Sequence, residues 1–589
     1  MKNMIKKLST LFIASTVVAS ATLVSCSDET VDRLDNTNYP SVISELYAGL
    51  WGVASTVADV ADQAYILESL RSNMIEPTES ASQELFAIYN YNVQDLTGNS
   101  VANPANYYRV IMSVNDYVKH IDDFRKANPT ALAFESKYNV SYELYISTAI
   151  RYKVWAYMML AKIYGEAVYF DDPLTEVQDL SQYPLLPFDE VINKCVELMT
   201  GAGMYGVNGC AYILPWKTFI FPSLTSDSES IQQFDRYQFT PSTLLAELYL
   251  WQGKYKDAYN MVVDEIANSA WTSDKSCYIV NLRGTYSNYW KSCARQFNRY
   301  NHVTIASYVP RQFETNRLDD YASDEAPNHY LIRPTQWAMA KFDTTSVPND
   351  LTYYYDRYRG AGATYKETSR GNMVLNKWLN PLTDPTTQES IISLYRDGNL
   401  WLMLCEALTG VAREYSESDS LMCAKLLEAA LVSMNGGAGN TAYCNANGTY
   451  ITGQGVCFDT LTYNTGLNAY PTNLYQEGNQ QRQNRGLRGR VNMSSVGDDI
   501  FGKDEDGNPL YTDLDVQLWK LDSLITEEYF FELSAEGHTL YCTKRMRDRY
   551  KDDPERVQFF NKWIAGSRGA DVATKLENDE NWFIKYKLD

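Results

Sequence analysis

The chain has 589 residues, of which 45% are hydrophobic, 13% aromatic and 21% charged, and its formal net charge is −21. It is too rich in apolar residues for a disordered protein, and its acidity argues against nucleic acid or an anionic lipid surface as the main partner. With only four histidines, a histidine-rich metal or proton-transfer site is nearly excluded. Tyrosine is in excess, 46 against 20 phenylalanines, which indicates that the ring hydroxyls have a role beyond hydrophobic filling.

The first 26 residues predict a signal peptide followed by a lipid anchor. Three lysines precede the apolar stretch Leu8–Val24, which is too short and too rich in Ser and Thr to span a membrane comfortably. The sequence Leu23-Val24-Ser25-Cys26 is typical of a lipobox, although Cys26 could also be an ordinary cysteine. Acyl chains on Cys26 would contribute about 0.8 kcal/mol per buried CH₂. We expect residues 1–25 to be removed and the mature chain to be anchored to the membrane without crossing it.

Nine cysteines remain after Cys26, so at least one is unpaired. Cys405 and Cys423 lie in helix-like apolar patterns, which predicts small buried side chains. Cys444 and Cys457 flank a loop rich in Gly and Asn and could form a disulfide. The chain has no C-x-x-C pair, so a zinc site is improbable, and no metal or cofactor is predicted.

Apolar residues at three- and four-residue steps predict helices along much of the chain. These segments are Val42–Val57, Tyr107–Phe124, Tyr142–Tyr164, Phe188–Met199 and Thr243–Ile266. The last contains Leu248-Tyr249-x-x-Gly253-x-Tyr255-x-x-Ala258, the tetratricopeptide signature of two antiparallel helices. Two more such hairpins are predicted from Leu394–Leu408 with Leu421–Val432, and from Ser141–Gly165 with Asp189–Thr200.

The segments between these hairpins have no helical period. Residues 271–390 and 436–514 are rich in Gly, Asn, Pro, Tyr and Trp, with too many aromatic residues for disorder. We therefore predict a mainly α fold. A single domain, 26–589, would have a helical scaffold of about residues 40–270, 391–435 and 515–589, with the two loop-rich segments as ordered insertions on one side.

Five motifs spread over nearly the whole mature chain carry a resemblance to a known family. They are Tyr107-Tyr108-x-x-Ile111-x-x-x-Asn115, Ala149-x-Arg151 with Tyr164-Gly165, Arg396-x-x-x-Leu400-x-Leu402-Met403-x-x-Glu406-Ala407, Glu528-x-x-x-Glu532-Leu533-x-x-Glu536-Gly537 and Asn581-Trp582-Phe583. In order and spacing they resemble the SusD/RagB family of nutrient-binding outer-membrane lipoproteins. Tyr529, Thr539 and Cys542 depart from the family pattern, which puts local salt bridges in doubt, whereas Arg545 matches it.

The resemblance implies a location, a partner and a mode of action. Ser27-Asp28-Glu29 resembles the acidic tag that sends Bacteroidetes lipoproteins to the outer face of the outer membrane. A SusC-like TonB-dependent transporter is the implied partner, and the protein would close over its extracellular mouth as a lid. The mechanism would be capture and delivery of a ligand, with no bond made or broken.

Motifs of enzymes are absent from the sequence. It contains no H-E-x-x-H, no G-x-S-x-G and no Gly-rich loop after a strand pattern. A glycosidase carboxylate pair is possible by residue type, but among 73 acidic residues it has no specific support. Asp504-x-Asp506-Gly507 is similar to a calcium loop, yet its early glycine favours a turn. The arginines between Arg482 and Arg490 favour a solvated loop, with an anion or protein contact as the alternative.

The implied ligand site lies on two loops, Asn73–Ala105 and Tyr286–Tyr300. Aromatic rings there would stack on the apolar face of a sugar, and amides and carboxylates would bind its hydroxyls. The candidate ligand-binding residues are Asn73, Glu76, Tyr89, Tyr91, Asn92, Tyr289, Trp290, Arg295 and Tyr300. For any single tyrosine, packing within a loop is the more common role.

Three roles compete for this surface. A glycan is favoured because most relatives accompany carbohydrate-degrading systems, which is an argument from resemblance. Capture of peptides, as in RagB-like relatives, is the first alternative, because peptides also pack on aromatic rings. A non-catalytic scaffold that uses the helical hairpins to hold proteins together is the second.

Overall fold

The structure is a computed structural model. It describes residues 43–128, 142–173, 182–200, 238–269, 307–310, 317–325, 329–344, 359–379, 391–435, 442–444, 450–452, 487–490, 496–501, 504–508 and 510–587. Cys26, the loop Tyr286–Tyr300 and Cys457 lie outside these residues.

Helices make up most of the described chain. They are α1 Ile43–Arg71, α2 Gln83–Tyr89, α3 Ala105–Ala127, α4 Tyr142–Tyr164, α5 Phe188–Thr200, α6 Pro241–Trp251, α7 Tyr255–Ser269, α8 Leu318–Ala322, α9 Gln336–Thr344, α10 Asp397–Tyr415, α11 Ser420–Asn435, α12 Leu487–Arg490, α13 Asp498–Phe501, α14 Leu514–Glu532, α15 Thr539–Arg549, α16 Pro554–Ala565 and α17 Gly569–Lys575. This confirms the mainly α fold class, while the predicted domain limits stay a prediction.

Ten short strands pair into five antiparallel two-stranded ladders in the described residues. The strands are β1 Ile75–Pro77, β2 Glu166–Val168, β3 Leu185–Pro187, β4 Ser307–Pro310, β5 Ile332–Pro334, β6 Lys366–Glu367, β7 Met373–Val374, β8 Ile391–Tyr395, β9 Ala442–Cys444 and β10 Tyr450–Thr452. The pairs are β1–β5, β2–β3, β4–β8, β6–β7 and β9–β10. Through β1–β5 and β4–β8, the first insertion is joined to the scaffold.

Two apolar cores hold the helices together. The first lies among α1, α3, α4 and α5, with Leu67, Ile111 and Trp155 inside it. The second surrounds α10, which is buried along most of its length and packs on α7, α11 and α14. Burial of apolar surface in these two cores is the main term that stabilises the scaffold.

The helical pairs predicted from the sequence are present. Helices α6 and α7 pack against each other across the turn at Gly253, whose φ of 69° suits glycine. Helices α10 and α11 form the second pair, and α4 and α5 the third. One boundary prediction is wrong. Leu394 belongs to strand β8, because Arg396 has extended backbone (φ −145°, ψ 179°) and caps a helix that begins at Asp397.

The motif residues that carry the family resemblance serve the fold. Asn115 accepts from Lys153 Nζ at 2.7 Å, and Arg151 donates to Gln238 Oε1 at 3.0 Å, all in the interior. A Cβ at Gly165 would lie 2.8 Å from the ring of Phe583, so this position needs glycine. Of the departing residues, Tyr529 donates a hydrogen bond to Glu406 at 3.2 Å, and Arg545, which matches the family pattern, forms an ion pair with the same carboxylate at 2.7 Å.

Buried tyrosines account for part of the tyrosine excess, because their hydroxyls bind polar groups of other elements. Tyr91, Tyr117 and Tyr164 donate to main-chain carbonyls of Arg71, Leu46 and Ala102. Tyr395, Tyr529 and Tyr550 donate to carboxylates of Glu247, Glu406 and Asp522. Each of these tyrosines fills space in the core and also donates a hydrogen bond to a buried acceptor, which phenylalanine cannot do.

Several smaller predictions also meet the structure. Cys405 and Cys423 are buried, as expected. Residues 504–508 form a turn in which Asp504 Oδ1 accepts from two backbone N–H groups. The prediction of a solvated loop is wrong for Arg488, which is buried and forms an ion pair with Glu528 at 2.9 Å. Within the described residues, no helix has the length and apolarity needed to span a membrane.

Candidate functional site

The ladder between β1 and β5 brings two charged residues together on an accessible surface. Glu76 lies directly opposite Arg333 in the antiparallel register, and Arg333 Nε donates to Glu76 Oε1 at 2.7 Å. Arg333 also reaches the exposed Glu79, at 3.3 Å. The hydrogen bond from Arg333 to Glu76 is the main cause that raises the pKa of Arg333. The pair is only partly buried, so both groups can still bind a ligand.

Two half-buried tyrosines lie near this ion pair. Tyr89, the last residue of α2, donates to Asn73 Oδ1 at 3.3 Å. Tyr330 precedes β5 with a φ of 63°, and its hydroxyl donates to the carbonyl of Met373 at 2.8 Å. Burial raises the pKa of both phenols, and both sense the charge of Glu76. We call Glu76, Tyr89, Tyr330 and Arg333 the ladder site.

Asn73 and Tyr91 lie beneath the ladder site. Asn73 is buried with a φ of 61°, and its Oδ1 also accepts from Ser567 Oγ at 3.1 Å. Tyr91 is 2% exposed and donates to the carbonyl of Arg71 at 2.9 Å. The ring of Tyr91 has no face open to a ligand in this structure, and both residues support the loop that carries Tyr89.

Arg568 fixes this loop from below. Its five N–H groups reach five main-chain carbonyls, and its guanidinium lies 4.9 Å from the ring centre of Tyr89 and 5.0 Å from that of Tyr91. The carbonyls belong to Leu70, Arg71, Tyr89, Ile564 and Ala565. These residues end α1, α2 and α16, so one guanidinium caps three helices. Burial lowers the pKa of Arg568.

Asn92 lies at the edge of the same surface and is exposed. Its Oδ1 accepts from Lys575 Nζ at 3.2 Å, and the same ammonium donates to the carbonyl of Asn90 at 2.9 Å. Asn92 therefore keeps an amide N–H₂ toward solvent that a ligand hydroxyl could use.

The ladder site has the chemistry of a binding surface. Two aromatic rings offer apolar faces, and the paired carboxylate and guanidinium offer hydrogen-bond acceptors and donors beside them. Glu76 is ion-paired with Arg333, and its carboxylate oxygens can accept further hydrogen bonds from a ligand. No group of three His, Cys, Asp or Glu side chains in the described part of the chain is arranged to hold a metal ion.

The structure thus brings five of the predicted residues into one region. Glu76, Tyr89 and Asn92 are accessible, whereas Asn73 and Tyr91 are internal. The other four, Tyr289, Trp290, Arg295 and Tyr300, lie outside the described residues, and their role stays a prediction.

Arg333 and Tyr330 were missed by the sequence analysis. They are more than 240 residues away from β1 along the chain. The β1–β5 register places Arg333 opposite Glu76, and the carbonyl of Tyr330 accepts a hydrogen bond from Thr78 Oγ1, just after β1. The local sequence signal for strand β5 is the alternation of apolar and polar residues around Ile332, and this run is too short to identify a strand.

Comparisons with known proteins identify the fold. No protein-family model and no curated protein matches the sequence. Among solved structures, a SusD superfamily protein from Bacteroides thetaiotaomicron matches with a TM-score of 0.53 at 15% identity, over 92% of this chain and 97% of the other. A structure described as a laminarin binding SusD-like protein matches with a TM-score of 0.50 at 14% identity, over 90% and 95%.

A third match is to surface glycan-binding protein A from Bacteroides uniformis, with a TM-score of 0.50 at 11% identity, over 93% of this chain and 94% of the other. At such low identity, similarity of structure establishes the fold, and the ligand requires separate support. The order of the helices, the three helical pairs and these matches agree with the sequence motifs. The chain has the SusD-like fold that its motifs predict.

Proposed function

We propose that this protein is a non-catalytic outer-membrane lipoprotein that binds glycans at the cell surface and delivers them to a SusC-like TonB-dependent transporter. The observation that carries the proposal is the SusD-like fold, which matches over 92% of the chain. The predicted lipidation of Cys26 and the acidic residues after it support a position on the exterior face. Neither belongs to the described residues.

The choice of a glycan rests on the neighbours and on the ladder site. Two of the structural matches are described as laminarin binding and as surface glycan-binding. In the ladder site, Tyr89 and Tyr330 would pack on the apolar faces of sugar rings. Glu76 and Arg333 would bind the hydroxyl groups at the rim, and the amide of Asn92 would extend the same surface.

A neutral glycan is favoured over a strongly anionic one. The chain carries a net charge of −21, which repels polyanions. Arg488, one of the arginines that could have attracted an anion, is buried against Glu528. In the ladder site, Arg333 is shared between Glu76 and Glu79, so its charge is already compensated.

Calorimetry on the lipid-free mature protein tests the ligand. The panel would contain neutral glycans, mucin-type oligosaccharides and mixed peptides. Tyr89→Ala should weaken binding of the active glycan by about 1–3 kcal/mol, a five- to hundredfold loss of affinity. Trp290→Ala tests the second predicted loop in the same way.

Tyr511→Ala is the matched control, because Tyr511 is a 37% exposed tyrosine that precedes α14 and has no contact with the four residues of the ladder site among the contacts of the described residues. It should bind like the wild type. Tight binding of peptides with no response to any glycan would replace the glycan proposal by the peptide alternative. If Tyr89→Ala and Trp290→Ala both bind the glycan as tightly as the wild type, the binding site must lie elsewhere on the protein. The proposal that the protein binds glycans would still stand.

The transporter partnership needs its own experiment. Affinity purification of the tagged protein from detergent-solubilised outer membranes should recover a TonB-dependent barrel. Recovery of the protein without any barrel transporter would count against delivery, while leaving glycan binding untouched.

A further inference from the structure

A partly exposed tryptophan, Trp337, lies at the opposite end of strand β5 from Tyr330. Tyr330 comes two residues before the strand begins, and Trp337 lies in the first turn of α9, which begins two residues after the strand ends. Arg333, which pairs with Glu76, lies between the two rings along the chain. Strand β5 therefore has an aromatic ring at each end and the ion pair of the ladder site in the middle.

The side chain of Trp337 lies beside Asn73, the residue that supports Tyr89. A Cβ added to Gly566 would be 2.0 Å from Asn73 Nδ2 and 3.2 Å from Trp337 Cδ2, so both side chains lie against this one glycine. Asn73 Oδ1 accepts hydrogen bonds from Tyr89 at 3.3 Å and from Ser567 at 3.1 Å. Trp337 and Tyr89 thus have a common neighbour, and the ladder site is continuous with the start of α9.

The groups around Trp337 have the chemistry of a sugar-binding surface. Ser567 is exposed, and its hydroxyl oxygen can accept a hydrogen bond from a ligand. Within the described residues, the indole N–H of Trp337 has no hydrogen-bond partner, so it can donate to a ligand. The ammonium of Lys341 lies over the indole, 5.4 Å from the ring centre. A sugar that stacks on this face would displace a partly exposed lysine side chain.

The inner side of the indole is held by two other aromatic rings. Phe530 of α14 and Trp563 of α16 make edge contacts with it, with ring centres 5.3 and 5.2 Å apart from its own. These contacts fix the orientation of Trp337 in the absence of a ligand, which lowers the entropic cost of binding. Packing of α9 explains these edge contacts, but it does not require a partly exposed ring with an unused N–H.

We propose that Trp337 is a further ligand-contacting residue, and that the ladder site continues past Tyr89 and over Ser567 to Trp337. The ligand would be a glycan chain long enough to contact rings on both sides of the ion pair between Glu76 and Arg333. Sugar faces would stack on the rings, and sugar hydroxyl groups would bind Ser567 and the indole N–H. This inference rests on the proposed function and adds one residue and a minimum ligand length to it.

Calorimetry with a homologous series of oligosaccharides tests the inference. The series is prepared from the neutral glycan of the panel that binds most tightly. Trp337→Ala should weaken binding of the longest member at least about fivefold, the loss expected when an aromatic contact is removed. Unchanged affinity in this variant would overturn the proposal.

Trp519→Ala is the matched control. Trp519 on α14 is also partly exposed and also makes an edge contact, with Phe559 at 5.0 Å between ring centres. Among the contacts of the described residues, it has none with the ladder site. It should bind every member of the series like the wild type, and an equal loss in both tryptophan variants would overturn the proposal.

A double variant separates direct contact from an effect through Asn73. In the Tyr89→Ala background, Trp337→Ala should reduce the affinity by about the same factor again, because two rings that each contact the ligand contribute independently. No further loss in the double variant would show that Trp337 only supports Tyr89, and the proposal would fail.

Trp337→Ala also removes the edge contacts with Phe530 and Trp563, so its folding needs a safeguard. Fluorine NMR of the wild-type sequence labelled with 5-fluorotryptophan provides one, with the Trp337 signal assigned from Trp337→Phe. Saturation with the longest oligosaccharide should shift this signal and leave that of Trp519 in place. A Trp337 signal that does not move would overturn the proposal.

The same measurements separate this inference from the proposed function. A loss of affinity in Tyr89→Ala with none in Trp337→Ala would end the inference and leave glycan binding in place. No response of the wild type to any glycan of the panel would refute glycan binding itself, and the inference with it.

Discussion

The ring of Tyr255 lies directly on the backbone of Gly410, where an added Cβ would be 2.2 Å from the ring Cγ. The contact joins α7 to α10, the buried helix of the second core. The ring is held in place from its other side, because the guanidinium of Arg549 lies 4.6 Å from its centre. The close approach of these two helices therefore requires a residue without a side chain at position 410.

Gly410→Ala should destabilise the fold by about 1–3 kcal/mol, because the new methyl group displaces Tyr255 or separates the helices. Thermal unfolding followed by circular dichroism would show the lower melting temperature. Gly52→Ala is the control. Gly52 is also helical but has no atom within 4 Å of an added Cβ, so this change should be neutral or stabilise by up to about 1 kcal/mol. Equal losses in both variants would contradict the packing argument.

Arg545→Met should cost about 3–5 kcal/mol, because it leaves the fully buried Glu406 without its main counter-ion. Arg545 binds both oxygens of Glu406, with Nε–Oε1 at 2.7 Å and Nη2–Oε2 at 2.8 Å. Lys119→Met is the comparison, since Lys119 and its partner Asp123 are 45% and 52% exposed. That pair should contribute less than about 1 kcal/mol. Urea unfolding of the two variants would separate a buried ion pair from a surface one.

Tyr91→Ala should act on stability, with a loss of about 3–5 kcal/mol, because a fully buried ring is removed. Tyr91→Phe keeps the ring and loses the hydrogen bond to the carbonyl of Arg71, so it should cost about 1 kcal/mol. Differential scanning fluorimetry would rank the two variants. A Tyr91→Ala protein with an unchanged melting temperature would mean that the ring is not packed as described.

The stability of the protein should depend on Glu68, whose carboxyl group is fully buried. Burial raises its pKa from the ordinary 4.5 to about 7, although the Leu540 N–H donates to it at 2.7 Å. The folded state thus binds the proton more tightly than the unfolded state. The stability that this proton gives is complete below pH 4.5 and is lost as the pH rises through 7.

Glu68→Gln carries no charge at any pH, so its stability relative to the wild type should rise by up to about 3 kcal/mol between pH 4.5 and 8. Parallel urea titrations across this range would measure the difference. A difference that stays constant, or that falls with rising pH, would contradict the assignment of Glu68 as a buried acid that is protonated near neutral pH.

Cys26→Ala should release the protein from the membrane, since the acyl chains are its only predicted anchor. Labelling of growing cells with a fatty-acid analogue should mark the wild type and leave the variant unmarked. A wild-type protein without label would refute lipidation at Cys26, and Ser25→Ala offers a control that keeps the cysteine in place.

The helical part of the fold could be predicted because its pattern is local. Tyr142–Tyr164 has the predicted limits, and the Tyr107–Phe124 helix extends only to Ala105–Ala127. Helix α1 continues beyond the predicted end at Val57 to Arg71. The prediction stopped too early because Asp62, Glu68 and Arg71 interrupt the apolar pattern, although all three are buried. Polar residues that are satisfied by distant partners hide a buried helix from periodicity.

The candidate site was harder to predict, for the same physical reason. Glu76 and Tyr89 could be proposed from their residue types and their loop, but their neighbours Arg333 and Tyr330 arrive through a ladder of three residue pairs. Tyr91 has the composition of a binding residue and packs internally, because a tyrosine suits both roles. Sequence pattern separates helix from loop, whereas it does not separate a ring that stacks on a ligand from one that stacks on the protein.

The three helix ends held by Arg568 also set an order of events in synthesis. Helix α1 is made first, yet its last carbonyls are satisfied by a residue made near the end of the chain. The carbonyl of Trp582 likewise accepts a hydrogen bond from the Arg71 side chain. The backbone of Lys585 donates to the carbonyl of Val93 and accepts from the N–H of Leu96, in the loop that follows α2. The carboxyl-terminal ends of α1 and α2 and the loop after them therefore obtain these partners only after the last residues of the chain have left the ribosome.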